Sequence, residues 1–196
     1  MRTLTILTCI FSVALCSVAA DRTAKPRLRV AADGFPSGHD TPEGAACDLA
    51  RAFISRDIAL FTNTCVRPYG GGKAREDYAA FLRSTVQSME KEAARQQPSP
   101  GGPRSIGKVF AARHLSRGGP ASYGYAAFDF QDIVFVDVGV VLHNGNRALN
   151  RTLVIRDRDG KWYVHPAPGV SPLLSTGLND ESPSDRDFAE AYEIQK

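Results

Sequence analysis

The chain has 196 residues, of which 24 are Lys or Arg and 21 are Asp or Glu, and its formal net charge is +3. So small an excess of one sign excludes the strong electrostatic field with which proteins attract nucleic acids or acidic membrane surfaces. The length suffices for one domain with a substantial hydrophobic core. The sequence therefore predicts a single globular domain that does not bind nucleic acid.

The first 20 residues have the layout of a secretory signal peptide. One positive charge at Arg2 precedes an apolar run from Leu4 to Cys16, and the segment ends in Val18-Ala19-Ala20. The run is about a dozen residues long, whereas a membrane-spanning helix needs roughly 20, so we expect cleavage near Ala20 rather than a retained anchor. The mature protein is then predicted to be secreted or periplasmic, without stable insertion into the membrane.

Two cysteines, Cys47 and Cys65, remain once the signal peptide is removed. In an oxidising compartment an even pair predicts a disulfide, which here would close a loop of about 18 residues and contribute roughly 3 kcal/mol. The alternative is a pair of buried thiols that act as small hydrophobic side chains. Without a matching pair of histidines the two cysteines do not indicate a zinc site, and we predict neither a metal nor another cofactor.

Composition divides the mature chain into three parts. Residues 21–39 carry an excess of basic side chains without a sustained hydrophobic period, and we predict a flexible leader there. Residues 40–168 contain the periodic hydrophobic segments of the domain. Residues 169–196 are predicted to form an acidic tail, with one short helix that begins at Ser182-Pro183-Ser184-Asp185 and includes Ile194. Leader and tail are opposite in charge, so we expect them to pair loosely.

The first half of the domain predicts three helices. The first begins at Asp40-Thr41-Pro42-Glu43, where an oxygen-bearing cap precedes a proline, and it ends near Ser55. The second is short and is capped by Asp57. The third runs from about residue 73 to residue 95 and is followed by a linker rich in Pro, Gly and Ser.

From Ser105 onward the hydrophobic period changes from 3.6 to 2, which is typical of strands. Strands are predicted over residues 106–115, 133–143, 149–156 and 161–165, whereas residues 121–130 fit either a further strand or a short helix. Asn144-Gly145 and Asp159-Gly160 predict two-residue hairpin turns that join the last three strands.

Two-residue turns fix the register of these strands and place Asp137 opposite Thr152. One face of the sheet then carries the alternate valines from Val134 to Val140, and we expect it to pack on the helices. Arg151 is the only charge on that face; its guanidinium either binds an anionic ligand or reaches past the sheet edge to water. The other face mixes apolar and polar side chains and is predicted to be a homodimer interface.

The order of elements and two local sequences point to one family. The local sequences are Arg56-Asp57-Ile58-Ala59-Leu60-Phe61 after the first helix and Asp159-Gly160-Lys161-Trp162 in the last hairpin. Together they resemble the nuclear transport factor 2-like superfamily, with its ketosteroid-isomerase-like, SnoaL-like and cystatin-like folds, over residues 40–168. The resemblance implies an α+β fold in which three N-terminal helices pack on a curved antiparallel sheet. It does not select a function, because members range from isomerases to domains that only bind ligands or oligomerise.

Three functions remain open. The first is an exported, non-catalytic domain that binds a small apolar ligand or a protein partner. The second is a small isomerase or dehydratase, which requires the strand register to slip by one residue so that Asp137 faces the helices. Asp137 is then the general base, and His165 or Tyr163 donates a proton inside a pocket beneath the helices. The third is a cell-envelope interaction module whose tail, residues 169–196, makes the contact. The valine-rich face favours the first over the second, because polar groups buried there without partners would cost several kcal/mol each.

Overall fold

The structure, a computed structural model, describes residues 27–68, 72–114, 130–165 and 193–195. Its helices are α1 (Pro42–Ser55), α2 (Ile58–Thr64) and α3 (Lys73–Ala93). Its strands are β1 (Arg27–Arg29), β2 (Pro103–Val109), β3 (Arg113–His114), β4 (Phe130–Leu142), β5 (Arg147–Asp157), β6 (Trp162–His165) and β7 (Glu193–Gln195). The predicted α+β class, with three helices and an antiparallel sheet, is confirmed. No helix in these ranges is both long enough and apolar enough to span a membrane.

Local caps set the ends of the first two helices, as predicted. The Thr41 hydroxyl accepts a hydrogen bond from the Gly44 N–H at 3.1 Å, and Pro42 occupies the first turn, where its missing N–H costs nothing. Arg56 ends α1 in a left-handed backbone conformation with φ of 57°. The Asp57 carboxylate then caps α2 by accepting from the Leu60 N–H at 2.9 Å.

The main sheet has the strand order β2-β4-β5-β6, and β3 pairs with β4 beside β2. The single strand predicted over residues 106–115 is therefore two strands. The chain leaves the ladder between them because the Ala112 N–H binds the carboxylate of Glu43 on α1, at 2.8 Å. Glu43 is itself fully buried, so this contact joins the helix to the sheet inside the core.

Helix α1 packs on the valine-rich face of β4, as predicted. Val134, Val136, Val138 and Val140 are each at most 4% exposed and belong to one core cluster with the alanines of α1. Residues 42–50 of the helix are buried throughout. The interior of the domain therefore lies between α1 and this face of the sheet.

Both hairpin turns are one residue longer than predicted. Gly145 donates its N–H to the Leu142 carbonyl at 3.0 Å and has φ of 83°, so the loop consists of three residues and ends in a left-handed glycine. Gly160 has the same arrangement, with a 2.9 Å bond to the Asp157 carbonyl and φ of 78°. Each added residue shifts the strand register by one.

The shifted register moves every side chain of β5 to the face of the sheet opposite to the predicted one. Asp137 lies opposite Arg151 instead of Thr152, so the predicted inward orientation of Arg151 is wrong and its side chain lies on the outer face. Asn150 and Thr152 take its place on the helix-facing side. The second shift cancels the first for β6, whose Val164 packs inward as predicted.

Part of the segment predicted as a flexible leader is packed on α1. Leu28 is a buried member of the core, and residues 30–38 form a turn whose Asp33 carboxylate binds the guanidinium of Arg51 on α1. Arg51 also donates to the carbonyls of Phe35 and Pro36. The segment has no hydrophobic period because these tertiary contacts, rather than a regular element, hold it in place.

The leader and the tail meet through their backbones. β1 pairs in parallel with β7, with Leu28 opposite Ile194. Ile194 was predicted to lie in a tail helix, and this is wrong because its backbone completes a strand pair instead. The remainder of the predicted tail helix, the signal peptide and residues 121–129 lie outside the described residues.

Candidate functional site

A cavity of about 210 Å³ lies between α1, α3 and the helix-facing side of the sheet. Most of its wall is apolar, with a few polar groups, which is the usual composition of a small-molecule site. The lining residues are Ala50, Phe53 and Arg56 from α1 and its end, Thr85, Ser88, Met89 and Glu92 from α3, and Pro103, Val140 and Asn150 from the sheet.

Asn150 is the most unusual group in this cavity. Its side chain is on the valine-rich face, opposite Val138, and the residue is only 8% exposed. Within the described parts of the chain, no hydrogen bond involves its amide group. Its amide borders the cavity, so its hydrogen-bonding groups are open to whatever occupies that space. A ligand in the cavity could supply the missing partner.

Thr152 follows Asn150 on the same side of β5, opposite Val136. It is 4% exposed, and its hydroxyl oxygen has no hydrogen-bond partner in the described ranges. Two polar side chains are thus placed in succession on an otherwise apolar interior face.

Replacing Thr152 with the nearly isosteric valine should raise the free energy of unfolding by about 1 kcal/mol, because it removes an unpartnered buried hydroxyl. Urea unfolding followed by the fluorescence of the single tryptophan, Trp162, measures this. Thr64→Val is the matched control, since Thr64 is also buried but its hydroxyl donates to the Leu60 carbonyl at 2.8 Å, and we expect no gain there. A loss of stability in Thr152→Val would show that its hydroxyl is satisfied.

Two charged residues also line the cavity. The carboxylate of Glu92 accepts from the Arg95 guanidinium at 3.0 Å and from the Ser99 N–H at 2.9 Å. Arg56 is a half-buried residue of the wall, and none of the described carboxylates is within ion-pairing distance of its guanidinium. The charge of Glu92 is therefore compensated by a neighbour, whereas that of Arg56 is not.

The predicted general base, Asp137, lies on the opposite side of the sheet from the cavity. It is 5% exposed, and its carboxylate accepts from the Arg151 guanidinium at 2.8 and 3.0 Å and also from Arg113. The hydrogen bonds that Arg151 donates to Asp137 raise the pKa of Arg151. Arg151, predicted to bind an anionic ligand, is instead occupied by a carboxylate of its own chain.

The two predicted proton donors have other neighbours. The Tyr163 hydroxyl donates to the Asp159 carboxylate at 2.8 Å, and burial together with that carboxylate raises the pKa of Tyr163 to about 12. His165 stacks on Tyr78 with 5.2 Å between ring centroids, and burial lowers its pKa to about 4. The structure therefore brings Asp137, Tyr163 and His165 onto one face of the sheet but gives each a separate environment.

Cys47 and Cys65 are both buried and free. Burial raises the pKa of both thiols, that of Cys65 to about 12, so both are protonated at neutral pH. The disulfide and the alternative of two buried thiols both stay predictions. In the described part of the chain, no three His, Cys, Asp or Glu side chains are grouped to hold a metal ion.

Sequence reasoning missed the two polar residues of the interior because it assumed the shorter turn. Asn144-Gly145 is compatible with a two-residue turn and with the observed three-residue loop, since both place a glycine at positive φ. The alternation within β5 does not decide between them, because apolar residues occur on both of its faces. A three-residue loop at this hairpin, had it been assumed, would have predicted that Asn150 and Thr152 point inward.

No protein-family model, curated protein or solved structure matches this chain. The resemblance to the nuclear transport factor 2-like superfamily stays a prediction, based on element order and two local sequences. The evidence for function is therefore the geometry of the cavity and of the two faces of the sheet.

Proposed function

We propose that the protein is an exported, non-catalytic domain of the nuclear transport factor 2-like type, with a curved sheet, that binds a small and mainly apolar ligand. The ligand occupies the cavity between α1, α3 and the sheet. The observation that carries this proposal is the amide of Asn150, which lines a mainly apolar cavity and has no hydrogen-bond partner among the described residues. In an otherwise mainly apolar site, such a group can hydrogen-bond to a ligand and orient it.

The size of the cavity limits the ligand. A volume of about 210 Å³ corresponds to roughly seven water molecules, so the ligand has on the order of ten non-hydrogen atoms. Phe53, Met89 and Val140 supply apolar contact area, which stabilises a bound ligand by about 25 cal/mol for each Å² removed from water. A short-chain molecule with one polar end fits both the volume and the chemistry of the wall.

No observation supports the isomerase or dehydratase alternative in the way that the Asn150 amide supports ligand binding. A general base needs a carboxylate that is free to accept a substrate proton, whereas two guanidiniums occupy the carboxylate of Asp137. Asp137 also lies on the face that does not line the cavity. The non-catalytic function is therefore the better supported of the two.

The charges on the outer face of the sheet argue against the predicted homodimer, whereas the composition of the cavity favours a bound ligand. Among the described residues, the cationic side chains of the outer face are those of Lys108, Arg113, Arg147 and Arg151, against the carboxylates of Asp137 and Asp157. A two-fold contact places a face against itself and would bring these like charges together. The homodimer stays a prediction, and we place the primary function in the cavity.

Blocking the cavity tests the proposal. Ser88 is exposed on α3 and lines the cavity, so Ser88→Trp should place an indole in its opening and weaken binding of hexanamide and hexanoate at least about tenfold. The chain has two methionines, and Met89 lines the cavity, so its ¹³C-labelled methyl signal reports binding directly.

The control is Ser84→Trp, which adds the same indole to an exposed position of α3 that does not line the cavity. It should bind both compounds as the unmodified chain does. If neither compound shifts the Met89 signal in the unmodified chain, or if Ser88→Trp and Ser84→Trp bind equally, the proposed function is wrong.

A further inference from the structure

We infer that the ligand is an anion, namely a short apolar carboxylate whose head group pairs with Arg56 and accepts a hydrogen bond from Asn150. This inference rests on the proposed ligand-binding function and specifies its chemistry. Three observations lead to it: the uncompensated charge of Arg56, the backbone conformation of that residue, and the hydrogen-bonding capacity of Asn150.

The two charged lining residues, Arg56 and Glu92, differ in whether their charge has a partner. Among the described lining residues Glu92 is the one acidic side chain, and its two carboxylate oxygens are occupied by Arg95 and by the Ser99 N–H. Arg56 has no carboxylate partner among the described residues. An entering cation would meet an unpaired guanidinium in a partly enclosed site, whereas an entering anion would compensate it.

Arg56 has a backbone conformation that favours glycine over arginine. Arg56 adopts φ of 57° and ψ of 34° at the end of α1, and it is the one described residue other than glycine with positive φ. Glycine occupies this helix-ending conformation with the least strain. An arginine at a position that glycine would fill more easily is explained if its guanidinium binds a ligand in the adjoining cavity.

A carboxylate matches both polar groups of the wall. It has two acceptor oxygens and no donor, so it can accept from the guanidinium of Arg56 and from the amide N–H of Asn150. A neutral amide of the same size can satisfy Asn150, but it leaves the charge of Arg56 without an opposite charge. Apolar carboxylates should therefore bind more tightly than isosteric neutral amides.

The test compares hexanoate with hexanamide at pH 7.5, using the Met89 methyl signal of the intact chain. We expect hexanoate to bind about tenfold more tightly, because hydrogen bonds to a charged partner are stronger. Arg56→Gln should abolish the preference, and Arg56→Gly should do the same while relaxing the backbone, so that loss of folding cannot explain the result. Arg83→Gln is the matched control, since it removes an exposed α3 arginine that does not line this cavity, and it should retain the preference.

Equal affinity for the two compounds in the unmodified chain, with both weakened by Ser88→Trp, would overturn the carboxylate inference and leave the proposed binding function intact. A preference that survives in both Arg56 variants would also overturn it. Absence of binding by either compound would overturn the binding function itself, and the inference with it.

Discussion

Gly44→Ala should lower the free energy of unfolding by roughly 2–4 kcal/mol, although glycine is normally the weaker residue in a helix. Gly44 lies in the first turn of α1, where the backbone of residues 37 and 38 crosses the helix. A Cβ at this position would collide with the Gly38 carbonyl oxygen and would lie 2.8 Å from that of Ser37. These neighbours are backbone atoms, and the Gly38 N–H is bound to Asp48, so they cannot move aside easily.

Urea unfolding followed by Trp162 fluorescence measures this loss of stability. Ser84→Ala, at an exposed position of α3, is the control for helix propensity and should be neutral or slightly stabilising. If Gly44→Ala is as stable as the unmodified chain, then residues 37 and 38 do not pack on α1, and the close contact of this segment with the helix is incorrect.

Acidification from pH 6.5 to pH 4 should lower the free energy of unfolding by about 3 kcal/mol through His165 alone. Burial lowers the pKa of this imidazole to about 4 in the folded chain, against an ordinary value of 6.5. Between these pH values the unfolded chain binds a proton that the folded chain does not. Stability therefore falls as the pH falls through this window, and His165 adds no further loss below about pH 4.

Unfolding free energies at several pH values, compared between the unmodified chain and His165→Phe, isolate this contribution. Phenylalanine keeps an aromatic ring against Tyr78 and cannot be protonated, so the variant should lose most of the slope between pH 6.5 and pH 4. His143→Phe, in the exposed hairpin turn, controls for the loss of a histidine as such and should keep the slope. An unchanged slope in His165→Phe would mean that the imidazole is not buried in solution.

The parts of the fold that were predictable depend on neighbours in the sequence. Thr41 and Asp57 cap the helices that follow them, because a side-chain oxygen can reach an N–H three residues away without tertiary contacts. The orientation of the valine-rich face of β4 was also predictable. Alternate residues of a strand share a face, and the burial of valine side chains away from water is favourable. Helix boundaries and the inward face of β4 were accordingly correct.

The candidate site was not predictable in the same way. Whether Asn150 or Arg151 points inward depends on one residue of loop length in the hairpin after Leu142, and both loop lengths suit the same Asn-Gly sequence. The sequence interpretation therefore chose Arg151 as the ligand-binding residue. In the structure Asn150 takes this inward position instead, and Arg56 lines the cavity because the fold places the end of α1 on the same cavity as α3 and the sheet.

By itself the amino-acid sequence determined the helices, their caps, the α+β class and the side of β4 that turns away from water, since each of these follows from propensity and periodicity within a short segment. Only the tertiary structure decided the strand register, the packing of residues 30–38 on α1 and the contents of the cavity. The physical reason is that these features depend on contacts between residues far apart in the chain, where competing arrangements differ by a single residue of pairing.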